Sequence, residues 1–319
     1  MPFFNVDSLC DVYINIGEDK LCDTCKQYPR ITKRFDDVFE QNLTLSCPEV
    51  AKILVSYDGT FDFCFGEYED NYNIISSTKN DELYNSLVMG RGLSVDIMQL
   101  REIPLWKRAY LCIHIADKIQ NLIDLKQWNN IKEDVEPFQN DVYLYDYFEK
   151  LEIFPSNKVL KLEQYVFLLK TLKKFDIKCV KFLEYVNEAI EFFNGHDPLL
   201  IVELLAEVIM SFEKLYKEKD FIYENYMVYH LFRYYMTSYK KGNLYQYIVM
   251  MLEGYSLMKL FAMVRWYNNG NQISDKEQVE ILYSYSRSFE HIKGDFDIFY
   301  KLIKDEGYDT KPYLATLIR

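Results

Sequence analysis

From about residue 82 to the C-terminal tail, apolar residues recur with a helical period, and this sustained pattern limits the chain to a mainly helical fold. In PLWKRAYLCIHIADKIQNLIDL, opened by Pro104, the residues Leu105, Ala109, Cys112, Ile115, Ile119 and Leu122 fall on one face. Residues 158–193 keep the pattern and stop at Asn194-Gly195. Asp197-Pro198 offers an N-cap and a first-turn proline to LLIVELLAEVIMSFEKLYKEK. FIYENYMVYHLFRYYMTSYKK stops at Gly242, and NLYQYIVMMLEGYSLMKLFAMVRWY stops at Asn268-Asn269-Gly270. Ser274 and Glu277 form an S-x-x-E capping box, and DFDIFYKLIKDEG makes a last helix. Two segments, LLIVELLAEVIM and YIVMMLEGYSLMKLFAM, are apolar around most of their circumference and belong in the centre of a bundle.

The first 80 residues read differently. Residues 1–49 are irregular and turn-rich. PEVAKILVS (48–56) predicts a short helix with proline at its first position. Asp58-Gly59 reads as a turn, and the alternation in TFDFCFGEY (60–68) predicts a strand and a small β-hairpin there. Residues 129–156 are acidic and broken by Pro137 and Pro155, which reads as a linker or an exposed loop-helix segment. The expected fold class is a mainly α multi-helix bundle (81–319) behind a small, irregular, cysteine-bearing N-terminal region (1–80).

Composition excludes several functions. The net charge of −12 argues against a general nucleic-acid binder. Eleven glycines leave little for phosphate-cradling loops, and neither G-x-G-x-x-G nor G-x-x-x-x-G-K-[ST] occurs. MPFFNVDSLC lacks the basic and apolar regions of a signal peptide, and no run of roughly 18 apolar residues suggests membrane insertion. A cytoplasmic location with reduced thiols is expected.

Four cysteines crowd the N-terminal region: Cys10, Cys22, Cys25 and Cys47, spaced C-x11-C-x2-C-x21-C. The C-x-x-C pair can place two thiolates on one metal, and soft thiolates select zinc or an iron–sulfur cluster. The alternative is that they are small buried hydrophobes. Cys64, Cys112 and Cys179 each stand alone in an apolar pattern and read as core.

The blocks CDVYINIGEDKLCDTCKQYPR, LTLSCPEVAKILV, PLWKRAYLCIHIADKIQNLID, ENYMVYHLFRYY and YSYSRSFEHI resemble, in this order and over essentially the whole chain, the flagellin lysine-N-methylase family of bacteria. The resemblance implies a protein-lysine N-methyltransferase acting on flagellin, with S-adenosylmethionine as methyl donor and Cys10, Cys22, Cys25 and Cys47 at an iron–sulfur or zinc site. Family members begin several dozen residues earlier with further clustered cysteines. This chain is expected to lack that segment, leaving an incomplete ligand set.

Methyl transfer to a lysine requires a neutral amine, although its ordinary pKa is about 10.4. Tyr283, Arg287, Glu290 and His291 lie at helical spacing on one side of the SRSFEH segment. His291 is a candidate base and Arg287 a candidate for the donor carboxylate. The competing reading is a packing cluster with an Arg287–Glu290 pair. Asn225, Tyr226 and Tyr229 form an aromatic-polar face that suits donor binding, although such stripes are more often core. Arg30 in QYPR would buttress the cysteines, or else is a solvated loop arginine. His230, beside the aromatic face, is open to either reading, while His114 reads as core and His196 as loop. Two further functions compete: a non-catalytic helical module that binds flagellin, and a metal- or redox-binding protein.

Overall fold

The computed structural model describes residues 5–6, 9–35, 38–64, 66, 81–151, 157–197, 200–290 and 294–319. Two short helices, α1 (Asp11–Ile16) and α2 (Asp23–Gln27), lead into an antiparallel hairpin of β1 (Arg30–Phe35) and β2 (Val38–Leu43). Its register runs from Arg30↔Leu43 to Phe35↔Val38. The helices α3 (Pro48–Ser56), α4 (Asp81–Met98), α5 (Leu105–Asp124), α6 (Ile131–Val135), α7 (Asp141–Lys150), α8 (Lys158–Leu172) and α9 (Val180–Asn194) follow. Then come α10 (Ile201–Tyr216), α11 (Phe221–Tyr234), α12 (Ser238–Lys241), α13 (Leu244–Asn268), α14 (Asp275–Phe289), α15 (Asp295–Asp305) and α16 (Lys311–Ile318).

The bundle is organised around α13, which packs against α5, α9, α10, α11, α14, α15 and α16. By length and composition α13 could cross a membrane, yet its whole apolar window is buried inside the protein. It is therefore the core helix that its all-round apolarity predicts. Punctuation agrees with the sequence at several ends. Gly242 closes α12 at φ 69°, a left-handed backbone that glycine adopts without strain. Ser274 and Glu277 satisfy each other's backbone N–H at the start of α14, at 3.3 and 2.8 Å.

Four differences have physical reasons. The hairpin lies at 30–43, within the stretch read as irregular, and none forms among the described residues around Asp58-Gly59; positions 65, 67 and 68 of the expected strand lie outside the described residues. Lys33, Glu40 and Asn42 are half-buried rather than solvent-facing in the two strands. With Lys33 between the covered Ile31 and Phe35, and Glu40 and Asn42 opposite, the strands do not show apolar alternation. Residues 60–64, by contrast, alternate without forming a strand. There the amide of Gln99 holds both Phe61 N and Phe61 O, at 2.6 and 3.3 Å, and Phe63 stacks on Phe232 at 4.6 Å. Residues 158–193 form two helices because the chain breaks between Leu172 and Val180 to bury Ile177 and bring Phe175 against Phe289 and Phe299. The described part of residues 129–156 is helical, as the loop-helix reading has it, but it is not an exposed segment: it buries Ile131, Val135, Phe138, Leu144 and Phe148. In addition, the tail forms α16, whose Leu314, Leu317 and Ile318 pack into the core.

Of the lone cysteines, Cys112 is core, and burial pushes its thiol up to about 12. Cys179 is partly buried, whereas Cys64 is exposed and not core.

Candidate functional site

The hairpin meets α11 and α14 at a buried polar junction. Glu290 caps the C-terminus of α14, with its side chain 2% exposed. Its Oε2 accepts a hydrogen bond from the Tyr229 hydroxyl at 2.9 Å and faces Arg233 Nε at 3.4 Å. The Tyr229 hydroxyl in turn accepts Leu45 N at 3.1 Å. Arg233 Nη1 donates to Asn42 Oδ1 at 3.3 Å. From β1, Lys33 Nζ donates to Thr237 Oγ1 at 2.7 Å and to the Arg233 carbonyl. Glu40 of β2 holds Arg91 of α4 through two bonds of 2.7 and 2.9 Å. The charged inner face of the hairpin thus finds its partners on α4 and α11.

The junction has unpartnered polar atoms. Glu290 Oε1 and both ring nitrogens of His230, one a donor and one an acceptor in the neutral ring, are buried without a hydrogen-bond partner among the described residues. Such orphaned buried groups are uncommon and call for an explanation. Burial, reinforced by Arg233 and Lys33, pushes the His230 imidazole down to about 3, so it is neutral near pH 7. Burial and the neighbouring Arg233 lower the Lys33 ammonium to about 8. Burial and Glu290 hold the Tyr229 phenol well above its ordinary value. Beside these groups lies a nest of rings. His230 and Tyr234 are 4.5 Å apart, Tyr234 stacks on Phe296 at 5.6 Å and on Tyr247 at 5.9 Å, and Lys33 Nζ lies 5.3 Å from the Tyr234 ring centre. The Tyr234 ring therefore already accommodates an ammonium, as its negative face should.

The residues nominated from sequence part company here. Arg287 and Tyr283 are together, with the guanidinium 4.6 Å from the ring centre. Arg287 also donates to Ser46 O at 2.9 Å, tying α14 to the loop before α3. The expected Arg287–Glu290 pair does not form, because Glu290 turns inward to Tyr229 and Arg233. His291 lies outside the described residues. Asn225 anchors α3, its Nδ2 donating to Leu54 O at 2.9 Å and Tyr57 O at 2.7 Å. Tyr226 is fully buried, and its hydroxyl and that of Tyr285 crowd Gly254. Glu290, from one nominated group, is thus joined to Tyr229, from the other.

The N-terminal cysteines are free thiols. Cys22, which precedes the first residue of α2, and Cys25 lie close together, and Cys10 is near enough to influence Cys25. The Cys25 backbone N–H lowers the Cys22 thiol, while the Cys22 side chain raises that of Cys25. Cys47 precedes α3 and packs against the core. Among the described residues, no group of three or more His, Cys, Asp or Glu side chains is arranged to hold a metal ion. Arg30 starts β1 and is exposed.

Arg233, Lys33 and Glu40 were not legible as site residues. Arg233 stands in HLFRYY among aromatics, the one place where a buried cation breaks the stripe. Lys33 and Glu40 gave no signal, since a surface strand carries the same residue types.

A family model described as the FliB lysine N-methylase C-terminal domain matches residues 91–317. That span begins within α4 and runs into α16, and so contains Glu290, Tyr229, Arg233 and His230. No curated protein matches the chain, and no solved structure matches it.

Proposed function

Since the chain belongs to the FliB lysine N-methylase family, we propose that it transfers methyl groups to lysine side chains of flagellin, with S-adenosylmethionine as donor. The family match over most of the chain carries this reading. The junction at Glu290 supports it chemically. A lysine ammonium must lose a proton before it attacks, and Glu290 Oε1 is a buried carboxylate oxygen with no other partner among the described residues. Tyr229 and Arg233 orient that carboxylate. The rings of Tyr234, Phe296 and His230 suit a cationic group in the way that Tyr234 suits Lys33. The amine nitrogen forms the new N–C bond, and its released proton passes to Glu290. When bound, the donor supplies a methyl group on a sulfonium, whose sulfur leaves with the bonding electron pair.

Among the described residues the thiols are not gathered into a group of three or more: Cys22 and Cys25 offer two ligands side by side, and Cys47 sits before α3. An iron–sulfur or zinc site in this chain requires Cys10 and Cys47 to join the pair.

A second reading, a helical module that binds flagellin without chemistry, is favoured by one observation: Asn225 and Arg287 are committed to structural contacts with α3 and its preceding loop. Incubation with flagellin and methyl-labelled S-adenosylmethionine separates the two. Label on flagellin lysines, reduced about 10²–10⁴-fold in E290Q, supports the enzyme. Retention of flagellin on the immobilised chain with no label transferred supports the module.

A further inference from the structure

A cavity of about 160 Å³ between α8, α10 and α16 is lined by three cationic side chains, Lys158, Lys161 and Arg319, of which Lys158 is paired with Glu203 at 3.1 Å. It is close in size to an engineered cavity of about 150 Å³ that admits benzene. Val202, Leu205, Ala206 and Ile209 of α10 give it an apolar wall. Lys161 of α8 lines it and is only 9% exposed. Among the described residues, Lys161 has neither an acceptor nor an ion-pair partner. Glu213, the carboxylate that lines the same cavity, is held by Lys259 at 2.6 Å. Arg319 lies over the Trp106 ring at 4.9 Å, and its Nη1 is buried without a partner.

Ammonium and guanidinium groups are donors only, and a buried cation without an anion is unfavourable. Burial and the neighbouring Lys259 lower the Lys161 ammonium to about 7. A bound anion reverses that by pairing with it. The size and the apolar wall select a short hydrocarbon body. Glu213 at the edge disfavours a doubly charged phosphate over a singly charged carboxylate. We propose that this cavity binds a small carboxylate with an apolar body, of the branched-chain or aromatic class, with Lys161 and Arg319 on the carboxylate and α10 against the hydrocarbon. The site is separate from the Glu290 junction and stands or falls independently of methyl transfer.

The test is direct binding of 4-fluorobenzoate to the full chain, followed by fluorine NMR and calorimetry near neutral pH. Saturable binding is expected, weakened at least about tenfold by K161M and by R319M. K161M removes an unpaired buried charge at nearly constant length, so the fold is expected to survive, and its thermal melt checks this. A206F, which fills the cavity and leaves both cations, should abolish binding. 4-Fluorobenzyl alcohol, similar in shape but uncharged, should bind at least about tenfold more weakly. Absence of saturable binding, unchanged affinity in K161M, equal affinity for the alcohol, or displacement by equimolar inorganic phosphate would each overturn the proposal.

Discussion

Helix α13 and the β1–β2 hairpin are both buried against the same bundle, by opposite means. α13 fits because nearly every residue on it from Leu244 to Trp266 is buried and most of them are apolar. The hairpin fits because its charged inner positions meet charges supplied by distant helices: Lys33 with Thr237, Glu40 with Arg91, Asn42 with Arg233. Burial of apolar surface is non-directional and tolerates small displacements. A buried charged contact depends on geometry, and it is costly when one partner is missing. The comparison teaches that one protein can hold two buried elements with very different sensitivity to change.

The largest expected effect lies on the hairpin side. E290A leaves Arg233 buried without its carboxylate and should destabilise the protein by about 3–5 kcal/mol in urea unfolding. A loss below about 1 kcal/mol would mean that the junction does not hold the hairpin. The next effect concerns the one acid on α13. Burial pushes the Glu253 carboxyl up to about 8, so the folded state keeps a proton that the unfolded chain loses above about 4.5. Its contribution to stability is therefore present at low pH and lost as pH rises through 8. Lys161 and Lys33, lowered to about 7 and about 8, act in the opposite sense, with their penalty relieved as pH rises. The diagnostic is thus the difference between the wild type and E253Q. The wild type should lose about 2 kcal/mol relative to the variant between roughly pH 6 and pH 8. Parallel profiles would show that Glu253 is ionised in the fold.

A third test asks whether α13 tolerates added volume. A Cβ at Gly254 would come within 2.2 Å of the Tyr226 hydroxyl and 2.5 Å of the Tyr285 hydroxyl. G254A should cost about 1–3 kcal/mol in thermal melts. No change would show that the two rings give way freely. The smallest effect is expected from E40Q. It keeps one hydrogen bond to Arg91, whose contact is not fully dry, and should cost about 1 kcal/mol by chemical denaturation. An effect as large as that of E290A would put the anchor of the hairpin on α4 and not on α11.

Apolar period and end punctuation made most of the bundle readable. Gly242 and the Ser274–Glu277 box mark boundaries that local chemistry decides. The hairpin was hidden because Lys33, Glu40 and Asn42 occupy positions where apolar residues were expected. Ile177 and Phe175 misled in the opposite direction, extending an apolar pattern across a break that exists to bury them. At the site, spacing correctly placed Tyr283 beside Arg287. It could not show that Glu290 leaves the helix face for Tyr229 and Arg233, because both partners come from another helix.

The hairpin's contacts have a consequence in time. Lys33 and Asn42 meet residues 191 to 204 positions further along the chain. At synthesis rates of about 5–20 residues per second, a finished hairpin waits roughly 10–40 s before α11 has been made. An apolar inner face would spend that interval as an adhesive surface. A face on which Lys33, Glu40 and Asn42 accompany the single buried ring of Phe35 can spend it largely in water, hydrated until its partners emerge.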